Sequence, residues 1–294
     1  MRKIQLYNFL FLLVTGIGST ILFQGCEKNS TVQPANLTAR LIDSIIVDSS
    51  NLHFIYDAQE RIVEERLVYN DSLYERNTYE YNSSGRMPFK RNHFNRDETT
   101  PEYISYFQYD GNDKKIFDSS YYFQYNAYIL TSIYRNSPGK IIVTQTSSFP
   151  QNMRSDTIFT NTAGNADSIR SYYNSTQPFG PLYHWHTATF AQFNNQENIF
   201  SSLNISQANF YIPGTAFNFG SYIHSYSPIN IPFVIDYLNT NYFTAFGTRT
   251  IWNGEIFNIQ KQIQFNSDNL PLEETVNFPP GSGYPVIVAK IVHR

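Results

Sequence analysis

The sequence predicts an all-β protein, an antiparallel meander of repeated β-hairpins that curves into an open sheet or a partly closed barrel, with at most one short helix. Three observations point there. A unit made of an aromatic residue, a turn cluster and an aliphatic residue recurs about every 25 residues, the length of one hairpin with two strands of roughly 8 to 10 residues. The stretches between units are dense in Tyr, Phe, Ile, Val and Thr, which favour pleated, half-buried surfaces, and the chain holds 23 Tyr and 24 Phe. A single cysteine excludes a disulfide framework, so packing alone must hold the fold.

The chain begins with a cationic pair, Arg2 and Lys3, followed by an apolar run from Phe9 to Phe23 and a short polar step, Gln24-Gly25, before Cys26. That order is signal-peptide anatomy. The run covers about 15 residues, fewer than the roughly 20 that a helix needs to cross the hydrocarbon core. Gly25-Cys26 resembles the lipobox of bacterial lipoproteins, in which a small residue precedes a cysteine that is lipidated and becomes the mature N-terminus. Phe23 and Gln24 depart from the usual Leu and small residue of that motif. The resemblance implies a signal peptide over 1–25, lipidation at Cys26 and export to the bacterial cell envelope, most simply the outer membrane. Residues 26–40 are then a lipidated cysteine and a polar tether whose Asn, Ser, Thr, Gln and Pro cannot build a core. Residues 41–294 form one β-repeat domain.

The repeat is clearest at Tyr56-Asp57, Tyr81-Asn82, Tyr109-Asp110 and Tyr134-Arg135, whose aromatic anchors are 25, 28 and 25 residues apart. Looser copies begin at Thr160-Asn161, Phe193-Asn194 and Phe265-Asn266. Asn, Asp, Gly and Ser in the clusters supply the left-handed and Asx-turn conformations that reverse a chain. Glu60 and Glu197 stand near the position where YD-like repeats, which these units resemble, prefer glycine, and the resemblance implies turns of a different type there. Within the strands both faces are mixed: Val63, Glu65, Leu67 and Tyr69 alternate with Ile62, Glu64, Arg66 and Val68. Tyrosines with an apolar ring and a solvated hydroxyl fit such a half-wet sheet. Between about 206 and 250 the repeat fades and Pro213, Pro228 and Pro232 intervene, predicting an irregular insertion with a short helix at Phe233–Leu238. Trp252-Asn253-Gly254-Glu255 reads as a tight hairpin turn. Gly281-Ser282-Gly283 reads as the connection before a final apolar strand, Val286 to Val292.

Chemistry is sparse. His184 and His186 are two apart, so on an unbroken strand they share a face and are the weak candidates for a metal-dependent site; no Cys or Asp/Glu pattern supplies the further ligands that zinc needs. Glu64-Glu65 and Glu273-Glu274 are adjacent and so point to opposite faces, which excludes a paired acid and base and suggests solvated strand charges. No nucleophile elbow, P-loop or dinucleotide fingerprint occurs. Without Arg2 and Lys3 the chain carries 19 basic against 24 acidic side chains, which gives no reason to expect nucleic acid. Tyr121, Tyr122, Tyr172, Trp185 and Trp252 are the candidates for an exposed aromatic platform that stacks against sugar rings or an envelope protein.

The Tyr-Asp/Asn, turn and Arg/Lys-aliphatic units at Tyr56, Tyr81, Tyr109 and Tyr134, closed by Phe265-Asn266-Ser267-Asp268-Asn269-Leu270-Pro271, resemble uncharacterised Bacteroidota-type cell-envelope lipoproteins built from degenerate YD-like repeats, a domain family of unknown function. The resemblance implies β-repeat architecture and an envelope location and carries no catalytic residues. It also implies O-glycosylation at Asp-Ser/Thr-aliphatic triplets, which here place candidate sites at Ser44, Ser72, Thr157 and Ser168. The sequence therefore favours a non-enzymatic, lipid-anchored binding or structural module without a cofactor, meeting a membrane through its lipid and a polysaccharide or envelope protein through its surface. An open barrel carrying a lipid or other apolar ligand is the alternative, and a metal-dependent enzyme using His184 and His186 the third.

Overall fold

The structure is a computed structural model that describes residues 41–83, 85–96, 98–148, 151–174, 183–209, 239–250, 256–280 and 286–294. The signal segment, Cys26, the tether, the helix expected at Phe233–Leu238, the turn at Trp252 and the Gly281–Gly283 connection lie outside these residues. Sixteen strands follow one another: β1 (Ile42–Val47), β2 (Ser50–Tyr56), β3 (Ile62–Tyr69), β4 (Ser72–Tyr81), β5 (Pro88–Asn95), β6 (Tyr103–Tyr109), β7 (Lys115–Tyr122) and β8 (Ala127–Ser137). Then come β9 (Lys140–Ser148), β10 (Gln151–Thr160), β11 (Ala166–Asn174), β12 (Tyr183–Glu197), β13 (Asn241–Thr250), β14 (Ile256–Phe265), β15 (Pro271–Asn277) and β16 (Ile287–His293).

Each strand pairs antiparallel with its sequence neighbours, and β1 pairs with β16 through Ile45 opposite Ile291 and Val47 opposite Ala289. The expected meander is present, and pairing of its first and last strands closes it into a barrel with no free edge. Because the strands run alternately up and down, the ends of β2, β4, β6, β8, β10, β12 and β14 all lie at one end of the barrel. Every copy of the sequence repeat falls there, so the 25-residue period is one trip down the wall and back.

Four of the turns at that end share one design. Asp57, Asp110, Asn161 and Asn266 each accept, on side-chain Oδ1, the backbone N–H groups two and four residues on. The fourth turn residue is left-handed in each: Glu60 at φ +60°, Asp113 at +58°, Gly164 at +83° and Asn269 at +60°. Glu60 therefore takes the same turn as Gly164, against the sequence expectation, because the Asx side chain and a backbone bond from the fourth residue to the first over-determine the conformation. At the opposite end Asn70 and Asp71 both have positive φ, the type I′ geometry that matches strand twist in a two-residue hairpin.

A second repeated device ties the strands at the turn end. The last inward side chain of an even strand donates to the carbonyl of the first residue of the strand before it: Tyr56 to Ile42 at 2.7 Å, Tyr81 to Ile62, Tyr109 to Pro88 at 2.7 Å and Arg135 to Lys115 at 2.6 Å. His293 Nε2 meets the Pro271 carbonyl in the same way at 2.7 Å. At Tyr56, Tyr81 and Tyr109 the tyrosine of the repeat is thus a latch as well as a packing residue, and in the Tyr134-Arg135 copy the arginine takes that part.

Sixteen strands enclose more space than wall side chains alone fill. Two short helices, α1 (Ile199–Ser202) and α2 (Ser206–Asn209), enter it at the turn end, where at most one helix was expected. Asn198 caps α1 by accepting from the Phe200 N–H and ties it to Asn239 and Thr240 beside β13. Ile199, Phe200, Leu203 and Ile205 are buried in a core shared with Ile42, Ile45, Leu52, Ile62, Tyr242, Ile287 and Ile291. Asn204 bonds the Ile62 N–H and the Tyr81 hydroxyl, and Asn209 reaches β4 and β5. The helical segment therefore runs across the interior from β13 to β3–β5. The irregular insertion expected over 206–250 is correspondingly narrower, since Ser206–Asn209 is a buried helix and Asn241–Thr250 a strand paired with both neighbours.

Candidate functional site: the polar inner wall

Alternation along β3 to β7, with a bulge between Lys115 and Phe117, directs Glu65, Asn77, Tyr79, Arg91, His93, Tyr103, Ser105, Lys115, Asp118 and Ser120 inward, where all are buried. They form a connected wall. Glu65 accepts from the Tyr79 hydroxyl and from Asn77 Nδ2 at 3.3 Å, while Asn77 Oδ1 meets His93 Nδ1 at 3.0 Å. The His93 ring stacks on Tyr103 with centroids 4.5 Å apart, and its Nε2 lies 3.7 Å from Glu102. Arg91 donates to Asn209 Oδ1 at 3.0 Å and to Ser105 Oγ at 3.2 Å, and Ser105 meets Ser120 at 2.7 Å. Lys115 Nζ sits 3.0 Å from Asp118 and donates to the Ala208 carbonyl at 2.9 Å. Elsewhere on the inner face Asp156 pairs with Arg154 at 2.8 Å, and Glu274 with Lys261 at 2.7 Å.

Burial sets the charge states. His93 falls to about 3, first through burial and then through the Arg91 charge, so it is a neutral ring at every ordinary pH. Glu75, on the same wall beyond Asn77, is pushed up to about 9, by burial first and by Glu102 second, and keeps its proton at neutral pH. Glu102 is itself raised by burial and by Glu98. Burial lowers Lys115, against which Asp118 acts, and raises Asp156, against which Arg154 and a hydrogen bond from Ser171 act. The wall consists of matched ion pairs and hydrogen-bonded amides around one protonated carboxyl. Its chemistry is that of holding a wide barrel together and orienting α2.

The residues singled out from sequence scatter. Tyr121 is exposed on the outer surface, whereas Tyr122 faces inward, its ring 4.8 Å from Tyr103. Adjacent residues on a strand point to opposite faces, so Tyr122 is removed from any shared platform. Tyr172 is half-buried on β11, the side chain of Trp185 on β12 is not described, and Trp252 lies outside the described residues. For His184 and His186 the pairing of β12 with β11 shifts between Ser171/His186 and Tyr172/His184, a bulge that breaks the alternation on which their common face depended. Among the described residues no group of three or more His, Cys, Asp or Glu is arranged to hold a metal ion.

Of the glycosylation candidates, Ser44 is buried inside β1 and so is inaccessible to a glycan, a correction to the sequence reading. Ser72 is exposed beside the Asn70-Asp71 turn, and Thr157 and Ser168 are half-buried within strands. Glu65 and Glu274 also reverse an expectation. Each does face away from its neighbouring glutamate, but inward into the wall rather than into solvent. Sequence reasoning missed the inner charges as a class, although Glu65 on the face of Leu67 and Tyr69 was a signal. Only knowledge of which face was interior could have turned it into a prediction.

No family model matches the sequence, and no curated protein matches it. Among solved structures the chain is similar to a porin-like protein from Bacteroides uniformis ATCC 8492, at 11% identity and a TM-score of 0.50, covering 87% of this chain and 98% of that one. It is also similar to a porin-like protein from Bacteroides vulgatus ATCC 8482, at 9% identity and a TM-score of 0.47, covering 86% of this chain and 99% of that one. At such identity the first likeness shows a common barrel fold and nothing of activity.

Proposed function

We propose that the protein is a lipid-anchored barrel of the bacterial envelope that works in water, as a binding or structural module, and does not conduct solutes across a bilayer. The outer surface carries this reading. Arg66, in the middle of β3, is exposed and pairs outward with Glu64. Lys90 on β5 pairs with Glu80 on β4 at 2.7 Å, and Arg170 on β11, Gln260, Gln262 and Gln264 on β14 and Lys290 on β16 are exposed as well. A lipid-facing Arg or Lys near the bilayer midplane costs about 2–4 kcal/mol, and this barrel would carry several. The lipid anchor rests on the Arg2-Lys3, Phe9–Phe23 and Gly25-Cys26 pattern. An apolar carrier is less well supported, because the inner wall of β3 to β7 is lined by Glu65, Arg91, Lys115 and Asp118.

The test uses the full chain in a Gram-negative host. The protein is expected in the membrane fraction, labelled by radioactive palmitate, with label lost in Cys26→Ala, and it is expected to add no conductance steps to a planar bilayer. Label retained in Cys26→Ala would sink the anchor, and stepwise conductance would sink the aqueous barrel.

A further inference from the structure

The most exposed large side chains are not spread evenly over the barrel. Tyr106 on β6, Tyr121 on β7, Tyr128 on β8, and Phe123 and Tyr125 in the β7–β8 hairpin turn are 37 to 53% exposed. Their positions are contiguous. Tyr121 lies directly opposite Tyr128, and Tyr106 lies opposite Ser119, two residues from Tyr121 on the same face. Directly opposed side chains start about 5 Å apart and diagonal ones about 7–8 Å apart, within reach of aromatic rings. Two strand spacings of about 4.8 Å set the width of the band, and the hairpin turn extends it past the end of the wall.

The rings are also held. The Tyr121 hydroxyl donates to Asn126 Oδ1 at 2.6 Å, and the Phe123 ring stands at right angles to the Tyr121 ring with centroids 5.2 Å apart. Among the described residues Tyr121 alone of the five named from sequence belongs to this cluster, whose other members are its cross-strand and turn neighbours.

The chemistry around the rings selects the occupant. From Ile104 through Ser132 the outward positions of β6, β7 and β8 carry no Asp, Glu, Lys or Arg among the described residues, while the outer faces of β3 to β5 and of β16 do. Ser119 stands between Tyr106 and Tyr121 with Leu130 opposite it, and Gln108 and Ser132 lie either side of Phe117 in the next row, hydroxyl and amide groups that disfavour a lipid surface. An uncharged aromatic face interleaved with such groups matches a ligand that presents C–H faces for stacking, hydroxyls for hydrogen bonding and no net charge. We infer that Tyr106, Tyr121, Phe123, Tyr125 and Tyr128 form a binding platform for a neutral polysaccharide. This deepens the binding-module reading by naming a ligand class and a surface, and it does not depend on the anchor.

Affinity electrophoresis of the purified full chain in native gels tests it, with laminarin, yeast mannan, dextran and soluble xyloglucan as neutral probes and polygalacturonate as the acidic one. At least one neutral polysaccharide is expected to retard the protein and polygalacturonate is not. Tyr121→Ala combined with Tyr128→Ala should weaken retardation about tenfold or more, the loss typical of removing central aromatic anchors. Tyr134→Ala, which removes an exposed tyrosine six residues along β8, should leave it unchanged. All are surface substitutions, and an unaltered melting temperature shows that the barrel persists. The Cys26→Ser chain should bind as well as the wild type, so a failed anchor leaves this result standing. Retardation by none of the neutral probes, or retardation surviving the double substitution, overturns the platform. So does a dimer in sedimentation that the double substitution dissolves, which would make the face a contact between two copies of the chain.

Discussion

Glu75→Gln should stabilise the barrel at neutral pH and do so less and less as the solution is acidified. Glu75 is half-buried on the inner wall, with its Oε2 buried and lacking a hydrogen-bond partner, and burial pushes its folded-state pKa up to about 9 against an ordinary 4.5. Between those values the folded chain holds a proton that the unfolded chain has released, so stability falls as pH rises through that window. At 1.36 kcal/mol per unit the penalty is absent at pH 4.5 and about 3 kcal/mol at pH 7. Glutamine has nearly the same shape and does not titrate. Any cost of burying its amide is a constant offset, and the informative quantity is the pH slope of the difference between the two proteins. Guanidinium unfolding followed by tryptophan fluorescence at pH 4.5, 5.5, 7 and 8 supplies it. The wild type should lose about 3 kcal/mol relative to Glu75→Gln between pH 4.5 and 7. A difference independent of pH would mean that Glu75 ionises normally, and the account of the inner wall as a dry polar surface would fall with it. His93 works in the opposite sense. Its folded pKa near 3 lies below the unfolded 6.5, so its contribution is complete above pH 6.5 and declines by about 2 kcal/mol on going to pH 5.

Other expectations follow from the same geometry. Lys261→Met strands the buried Glu274 carboxylate and should cost about 3–5 kcal/mol, while Lys261→Met with Glu274→Leu should come within about 1 kcal/mol of the wild type or exceed it, read as a double-mutant cycle in guanidinium. Glu60→Gly relieves a left-handed residue that costs roughly 1–2 kcal/mol and adds backbone entropy of roughly 0.5–1 kcal/mol, for a gain of about 0.5 kcal/mol. Gly164→Ala should destabilise by at least about 1 kcal/mol, since φ is +83° and an added Cβ would come 3.0 Å from Thr240 Oγ1. Tyr109→Phe removes the latch to the Pro88 carbonyl and should lower stability by about 1 kcal/mol in thermal unfolding, with the far-ultraviolet spectrum unchanged.

The turn end was legible because its information is local. Asp57, Asp110, Asn161 and Asn266 build their turns from groups within five residues, so each repeat carries its own instructions, and the spacing of the repeats reports the strand length. Glu60 was misread because glycine preference was treated as a requirement, whereas the Asx bonds impose the left-handed residue whatever its side chain. Closure was less legible. The contact of Ile45 with Ile291 joins opposite ends of the chain, and no pattern within either segment names the other. The inner charges were hidden for a related reason. Alternation divides a strand into two faces but does not say which is inside, and here both faces are mixed. The usual inference from charge to solvent then assigned Glu65 and Glu274 to the wrong side.

That inversion also explains how a wide barrel can carry charge on its inner face. In a ring of sixteen strands the inner surface is broad, and opposite charges stand side by side on it, along one strand in Lys115–Asp118 and Arg154–Asp156 and across β14 and β15 in Lys261–Glu274. Each charge meets its opposite within the wall itself. The segment from Asn198 to Asn209 then supplies amide and carbonyl groups to Arg91 and Lys115. An inner wall committed to its own pairs leaves the outer face as the surface free to vary, and β6 to β8 is where that face has become aromatic. Substitutions along the inner wall should therefore act on stability, and substitutions at Tyr106, Tyr121 and Tyr128 on binding, with little exchange between the two. Coupled effects in a cycle that joins Tyr121→Ala to Lys115→Met would contradict that separation.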